Sequence, residues 1–137
     1  MAVDPDQLRE FARRYTEAWC GHEPERVAAH YAPAGSLTIN NGAPSVGRAA
    51  ITEAARSFMV AFPDMKVVMD DLRLEGEKAE YHWTLRGRNT GPGGAGRRVR
   101  ISGFEEWTFG DDGLIATSLG HFDQAEYDRQ LEHGVDS

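Results

Sequence analysis

The sequence predicts an α+β fold in which a curved antiparallel sheet wraps helices into a cone-shaped α+β barrel. Three observations predict it. Up to Phe62 the apolar residues recur at three- and four-residue steps, and beyond Pro63 the period drops to two. The stretch from Arg98 to Asp123 reads as a long hairpin: Val99, Ile101, Gly103, Glu105, Trp107 and Phe109 alternate, Asp111-Asp112-Gly113 turns, and Leu114 to Phe122 returns. Helices and strands are segregated along the chain, which is the α+β pattern. A curved sheet covered on one side by helices leaves a tapered interior suited to a small molecule.

The first helix has Asp4 as N-cap, Pro5 as its first residue and Gln7 placed for a capping box. Leu8, Phe11, Ala12, Tyr15, Ala18 and Trp19 form its apolar stripe, and Gly21 ends it. Pro24 starts a short second helix with Val27, Ala28 and Tyr31 inward, broken by Pro33 and Gly35. A short strand follows over Leu37 to Asn40, then a turn at Asn41-Gly42-Ala43-Pro44. The third helix spans about Arg48 to Phe62, with Ile51, Ala54, Ala55, Phe58, Met59 and Phe62 on one face. Met65, Val67 and Met69 alternate, then Leu72 and Leu74 on the other parity, so a β-bulge is expected near Asp70-Asp71. Glu75-Gly76-Glu77-Lys78 turns into a strand carrying Tyr81, Trp83 and Leu85 on one side, with His82, Thr84 and Arg86 on the other. The Gly-rich run Thr90 to Gly96 lacks the Lys-Ser/Thr ending of a phosphate loop and joins two strands. A last helix is expected from Gln124 to about His133.

At 137 residues the chain is expected to be one domain, 1–137, with a sizeable core. A net charge of −7 argues against nucleic acid and anionic membrane, which call for a basic surface. The local exception is Arg97, Arg98 and Arg100, flanking a loop. One cysteine, Cys20, permits no internal disulfide, and there is no N-terminal apolar run. A cytoplasmic protein is the expectation.

The element order and lengths resemble the nuclear transport factor 2-like superfamily, and within it the SnoaL-like polyketide cyclase branch. The residues carrying this are Phe62-Pro63-Asp64-Met65, Trp83-Thr84-Leu85-Arg86-Gly87 with Thr90-Gly91, and Gly96-Arg97-Arg98-Val99. Phe109 with Asp112-Gly113-Leu114-Ile115, and His121-Phe122-Asp123 followed by Gln130-Leu131, complete the set. The resemblance implies a homodimer built on the outer sheet face, a pocket open at one end, and an intramolecular aldol closure without cofactor. Asp123 stands where those cyclases carry their acid/base aspartate. The chain also resembles ketosteroid isomerases in part. Tyr15 matches their oxyanion tyrosine and Glu105 their protonated aspartate. Their general base would fall near Ile39, where Asn40 and Asn41 stand and no carboxylate does.

Three residues are candidates for catalysis: Asp123, Glu105 and His121. Asp123 in an apolar pocket would have its proton held more tightly and could work as acid/base. Followed by Glu126, it is equally a helix cap. Glu105 lies on the inward row between Gly103 and Trp107, so it should be neutral, paired or functional. A bulge turning it outward, or pairing by Arg86 or Arg100, is the other reading. His121 shares parity with Asp123 and could orient it, or is a hydrogen-bonded strand-end residue. The substrate contacts expected are Tyr15, Trp19, Phe62, Trp83, Trp107 and Asn40. Five histidines show no metal-ligand spacing, and no metal and no cofactor are expected. The function expected is a cofactor-free acid/base enzyme, a cyclase, isomerase or lyase, acting on a hydrophobic carbonyl compound. Two alternatives stay open. One is an epoxide hydrolase in which Asp123, His121 and Asn40 hold a water. The other is a non-catalytic small-molecule-binding dimer module.

Overall fold

The computed structural model describes residues 4–135. Helix α1 (Pro5–Cys20) has the expected Asp4 cap and Pro5 start, but the Asp4 carboxylate accepts from Asp6 N in place of the expected box with Gln7, and Gly21 caps its end. It buries Leu8, Ala12, Tyr15 and Ala18. Helix α2 (Pro24–Ala29) is a short connector. Strand β1 (Tyr31–Ile39) begins earlier than expected, because Tyr31 belongs to it and not to α2. Pro33 and Gly35 interrupt the pairing of β1 without ending it. Its register is lost after Tyr31 and resumes at Ser36, since proline has no N–H to give the ladder. Strand β2 (Ser45–Val46) folds back onto β1, and two residues are too few to show a period. Helix α3 (Arg48–Ala61) buries Ile51, Ala55 and Met59.

The long strands are β3 (Lys66–Glu75), β4 (Lys78–Arg88), β5 (Arg98–Phe109) and β6 (Ile115–Phe122), followed by helix α4 (Gln124–His133). The sheet order is β2-β1-β6-β5-β4-β3. The β3–β4 register shifts between Met69 and Asp71, so the expected bulge is present. β4 and β5 pair without a break from Lys78↔Thr108 to Arg88↔Arg98. In one respect the sheet differs from the expectation: β1 runs parallel to β6. The chain reaches β3 at the far edge only after α3 has crossed, so β1 and β6 meet as non-consecutive strands.

One face of the sheet is apolar. Val67, Tyr81, Leu85, Ile101 and Trp107 are buried there against α1 and α3. The other face carries Thr84, His82, Phe104, His121 and Glu106. The architecture is a mixed α+β cone: an open, curved six-stranded sheet with four helices. No helix among the described residues is long and apolar enough to cross a membrane.

Candidate active site

Glu105 sits mid-strand on the inward face of β5, opposite Tyr81 of β4 and Gly120 of β6. It is 8% exposed and keeps its inward direction, so no bulge turns it out. Its Oε1 accepts from Ser118 Oγ at 2.8 Å, Trp107 Nε1 at 2.9 Å, the Tyr15 hydroxyl at 3.0 Å and, more distantly, the Tyr31 hydroxyl at 3.4 Å. Its Oε2 has only Tyr15 at 3.3 Å. Protein donors thus crowd Oε1, while Oε2 carries one longer contact. No arginine compensates the charge. Arg86 and Arg100 alternate with the cavity-lining Leu85 and Ile101 and are exposed on the opposite side.

Burial raises the Glu105 pKa, and the four donors, which favour the carboxylate, only partly offset this. Tyr15 and Tyr31 are pushed well above the usual phenol value, first by burial and then by the Glu105 charge. Their hydroxyls are 3.0 Å apart. Tyr15 donates to Glu105, and the single Tyr31 hydroxyl hydrogen lies between the Tyr15 oxygen and Glu105 Oε1.

Glu105 opens onto a cavity of about 70 Å³. Leu37, Ile39, Val67, Leu85 and Ile101 form its apolar walls, and Tyr81 with half-buried Trp19, Phe58, Trp83, Phe122 and Tyr127 adds an aromatic lining. Gly120, facing Glu105, contributes no side chain and keeps the carboxyl reachable. Gly103 makes room for the Trp83 ring. A Cβ there would lie 2.8 Å from Trp83 Cζ2 and 2.2 Å from the His121 carbonyl oxygen. Trp83 Nε1 is buried without a hydrogen-bond partner among the described residues. The lining therefore includes a carboxyl and an unpartnered N–H donor.

Several expected site residues take other places. Asp123 does not reach the cavity. Its carboxylate is exposed, caps α4 and accepts from Glu126 N at 3.1 Å. His121 lies on the other face of the sheet, with Nε2 2.7 Å from Glu106 Oε2 and its ring against Phe104. The two acidic residues expected to meet, Glu105 and Asp123, thus stand apart. The cause is parity: Asp123 and His121 share an outward phase, while Ser118 and Gly120 hold the inward one. Asn40 is a clip, accepting from Phe122 N and donating to Gln124 Oε1. Tyr15 and Trp107 are fully buried behind Glu105 and hold it, and Trp107 stacks on Tyr81 at 4.8 Å. Phe62 is fully buried against Tyr127. Only Trp19 and Trp83 of the expected contacts line the cavity. Tyr31 and Ser118 escaped sequence reasoning. The signal for Ser118 was its even spacing from Gly120 and Phe122. Tyr31 gave none, because its inward position also fits a helix.

A family model described as the SnoaL-like domain matches residues 12–118. The chain belongs to the SnoaL-like domain family. No curated protein gives a significant match to the sequence. Among solved structures, TsrD from Streptomyces laurentii is similar at 24% identity and a TM-score of 0.81, over 94% of this chain and 97% of that one. A protein of ketosteroid isomerase-like fold from Catenulispora acidiphila, solved with trimethylamine, is 14% identical with a TM-score of 0.79, covering 95% of each chain. The epoxide hydrolase/cyclase-like enzyme SalBIII, of pyran ring formation in salinomycin, is 16% identical with a TM-score of 0.77 over 90% and 95%. These likenesses establish the shared fold. The activities of such SnoaL-like relatives differ from one another, so the chemistry must be argued from this cavity.

Two outcomes follow from the site. Because the folded pKa of Glu105 lies above its ordinary 4.5, the native state holds the proton more tightly than the unfolded one. Stability from this group is fully present below about pH 4.5 and is lost as pH rises through the raised folded value. Urea unfolding at pH 5 and pH 8 should show a larger loss for the wild type than for Glu105→Gln; equal losses would exclude a raised pKa. Asp123→Ala should lower stability by about 1 kcal/mol through the lost cap, and Asp123→Asn by much less. An equal, large effect from both substitutions would show that the Asp123 charge has a role beyond capping.

Proposed function

We propose that the protein is a cofactor-free proton-transfer enzyme of the cyclase/isomerase kind, acting on an apolar carbonyl compound, with Glu105 as acid/base. The observation that carries this is the buried Glu105 carboxyl, held by donors chiefly at one oxygen, in the lining of an apolar cavity. As carboxylate, Glu105 takes a proton from the carbon beside a carbonyl. Its raised pKa brings it nearer to such a weak carbon acid than a solvated glutamate. As the acid, it returns that proton to carbon or oxygen. Trp83 Nε1 supplies a donor for the enolate oxygen that forms between these steps. Tyr15, Tyr31, Trp107 and Ser118 position Glu105 and set its proton affinity. Asp123 and His121 have no part in the chemistry on this reading. The epoxide hydrolase alternative needs Asn40 free to hold a water, and both ends of its amide are engaged.

At about 70 Å³ the cavity is smaller than the roughly 300–1,000 Å³ of common ligand sites, so a polycyclic substrate requires its aromatic lining to move. Trp19, Phe58 and Tyr127 are half-buried and sit where such movement is possible. We further infer a homodimer through the outer sheet face. There Phe104 stacks between His82, at 5.2 Å, and His121, at 4.8 Å, and Val68 and Leu119 are 49% and 45% exposed.

The reaction is tested by deuterium exchange at the carbon acid of apolar diketones in D₂O, followed by proton NMR. Wild-type protein should accelerate exchange, and Glu105→Gln should lose at least about 100-fold of that acceleration. If the two proteins exchange at the same rate, Glu105 is not the acid/base. For the dimer, light scattering should give twice the chain mass for wild type and a monomer for Phe104→Asp. A monomeric wild type at micromolar concentration would remove the dimer.

A further inference from the structure

Arg98 aside, the arginines of this acidic chain fall into two groups. Arg9, Arg13, Arg14, Arg26, Arg56, Arg73 and Arg129 each face a carboxylate within ion-pair distance, and Arg48 donates to the Tyr31 carbonyl. Arg86, Arg88, Arg97 and Arg100, together with Lys66, have no ion pair among the described residues, and they gather in one place. That place is the end of β3, β4 and β5 beside the β4–β5 loop. There Lys66, Arg86, Arg88 and Arg100 line a groove of about 410 Å³. It adjoins a second cleft of about 300 Å³, which includes Arg97 and His133 and shares Arg88 with the first.

The register makes the gathering costly in the absence of a ligand. Lys66 pairs with Arg86 and Arg86 with Arg100, so like charges face each other directly across three strands. Such pairs destabilise a sheet, and a chain of net charge −7 has acidic residues in excess with which to relieve them. Among the described residues the one acid lining the groove is Asp64, and its Oδ1 accepts from Arg88 N at 2.8 Å. An arrangement that is unfavourable alone becomes favourable around an anion.

We propose that this groove binds a small phosphorylated molecule through Lys66, Arg86, Arg88, Arg97 and Arg100. Guanidinium forks match phosphate oxygens in pairs, and several cations converging on one groove suit more than one negative charge. The volume is that of a small-molecule site. A long polyanion such as a nucleic acid would meet the acidic remainder of the surface and be repelled. The site is separate from the apolar cavity. Leu85 and Ile101 line that cavity, and Arg86 and Arg100 beside them project to the other side of the sheet. The proposal therefore does not depend on the reaction assigned to Glu105.

Inorganic pyrophosphate is the probe, titrated by calorimetry into the full-length protein in a phosphate-free, low-salt buffer. Saturable one-site binding that weakens steeply with salt is expected. The paired variant Arg86→Ala/Arg100→Ala, at two exposed positions, should weaken binding at least tenfold. It should also melt at the same temperature as wild type, or about 1–3 °C higher, without ligand, because like-charge repulsion is relieved. Two results would overturn the proposal. One is a wild type with no saturable binding at millimolar pyrophosphate. The other is a variant that binds as tightly as wild type. A variant that changes the molecular mass in light scattering, with pyrophosphate inert toward both proteins, would assign the groove to contact between copies and also reject the anion site.

Discussion

A single carboxyl removed from water constrains the interior of this protein. Ionised and unpaired, Glu105 would cost several kcal/mol in such surroundings. No cation among the described residues is near enough to repay that, so the fold surrounds one oxygen with Ser118, Trp107, Tyr15 and Tyr31. The donors come from β6, β5, α1 and β1. Helix position, strand register and sheet order must all be right for the four to meet. Each is a buried polar group as well, and loses about 1–3 kcal/mol if left without a partner. The network is therefore mutual: the carboxyl satisfies the donors as much as they hold it.

This mutual arrangement separates support from access. Tyr15, Tyr31 and Trp107 are fully buried and stand behind the carboxyl. Leu37, Val67, Leu85, Ile101 and the half-buried aromatics stand before it and make the cavity. Tyr81 joins the two sets: its ring stacks on Trp107, and its hydroxyl donates to Thr16 Oγ1, whose own hydrogen goes to the Ala12 carbonyl. The phenol is thereby occupied, while Glu105 and the Trp83 N–H are among the polar groups of the lining left to answer a ligand.

Strand alternation explains the rest of the molecule with the same economy. Glu105 and Glu106 are neighbours in sequence, yet one lies in the interior and the other pairs with His121 on the outer face. Leu85 and Arg86, or Arg100 and Ile101, divide in the same way between an apolar cavity and a basic groove. A slip of one residue in β4 or β5 would exchange the two surfaces. The unbroken β4–β5 register, from Lys78↔Thr108 to Arg88↔Arg98, is what prevents it.

The amino-acid order alone determined the capped first and last helices, the long strands and the bulge at Asp70, and it put Glu105 on the inward row while leaving open a bulge that would turn it out. All of these are local: they depend on period, on capping residues and on alternation within one segment. It also placed Tyr15 and Trp107 on inward faces. Only the tertiary structure decided that both serve the carboxyl and not a ligand, because that depends on which side of Glu105 each element passes. It removed Asp123 and His121 from the interior, since the phase of a strand end relative to the cup follows from how β6 pairs with β5 and β1. It brought in Tyr31, whose strand is aligned by a parallel pairing with a segment some eighty residues away. Local pattern fixes which face a side chain takes, and long-range pairing fixes what lies opposite that face.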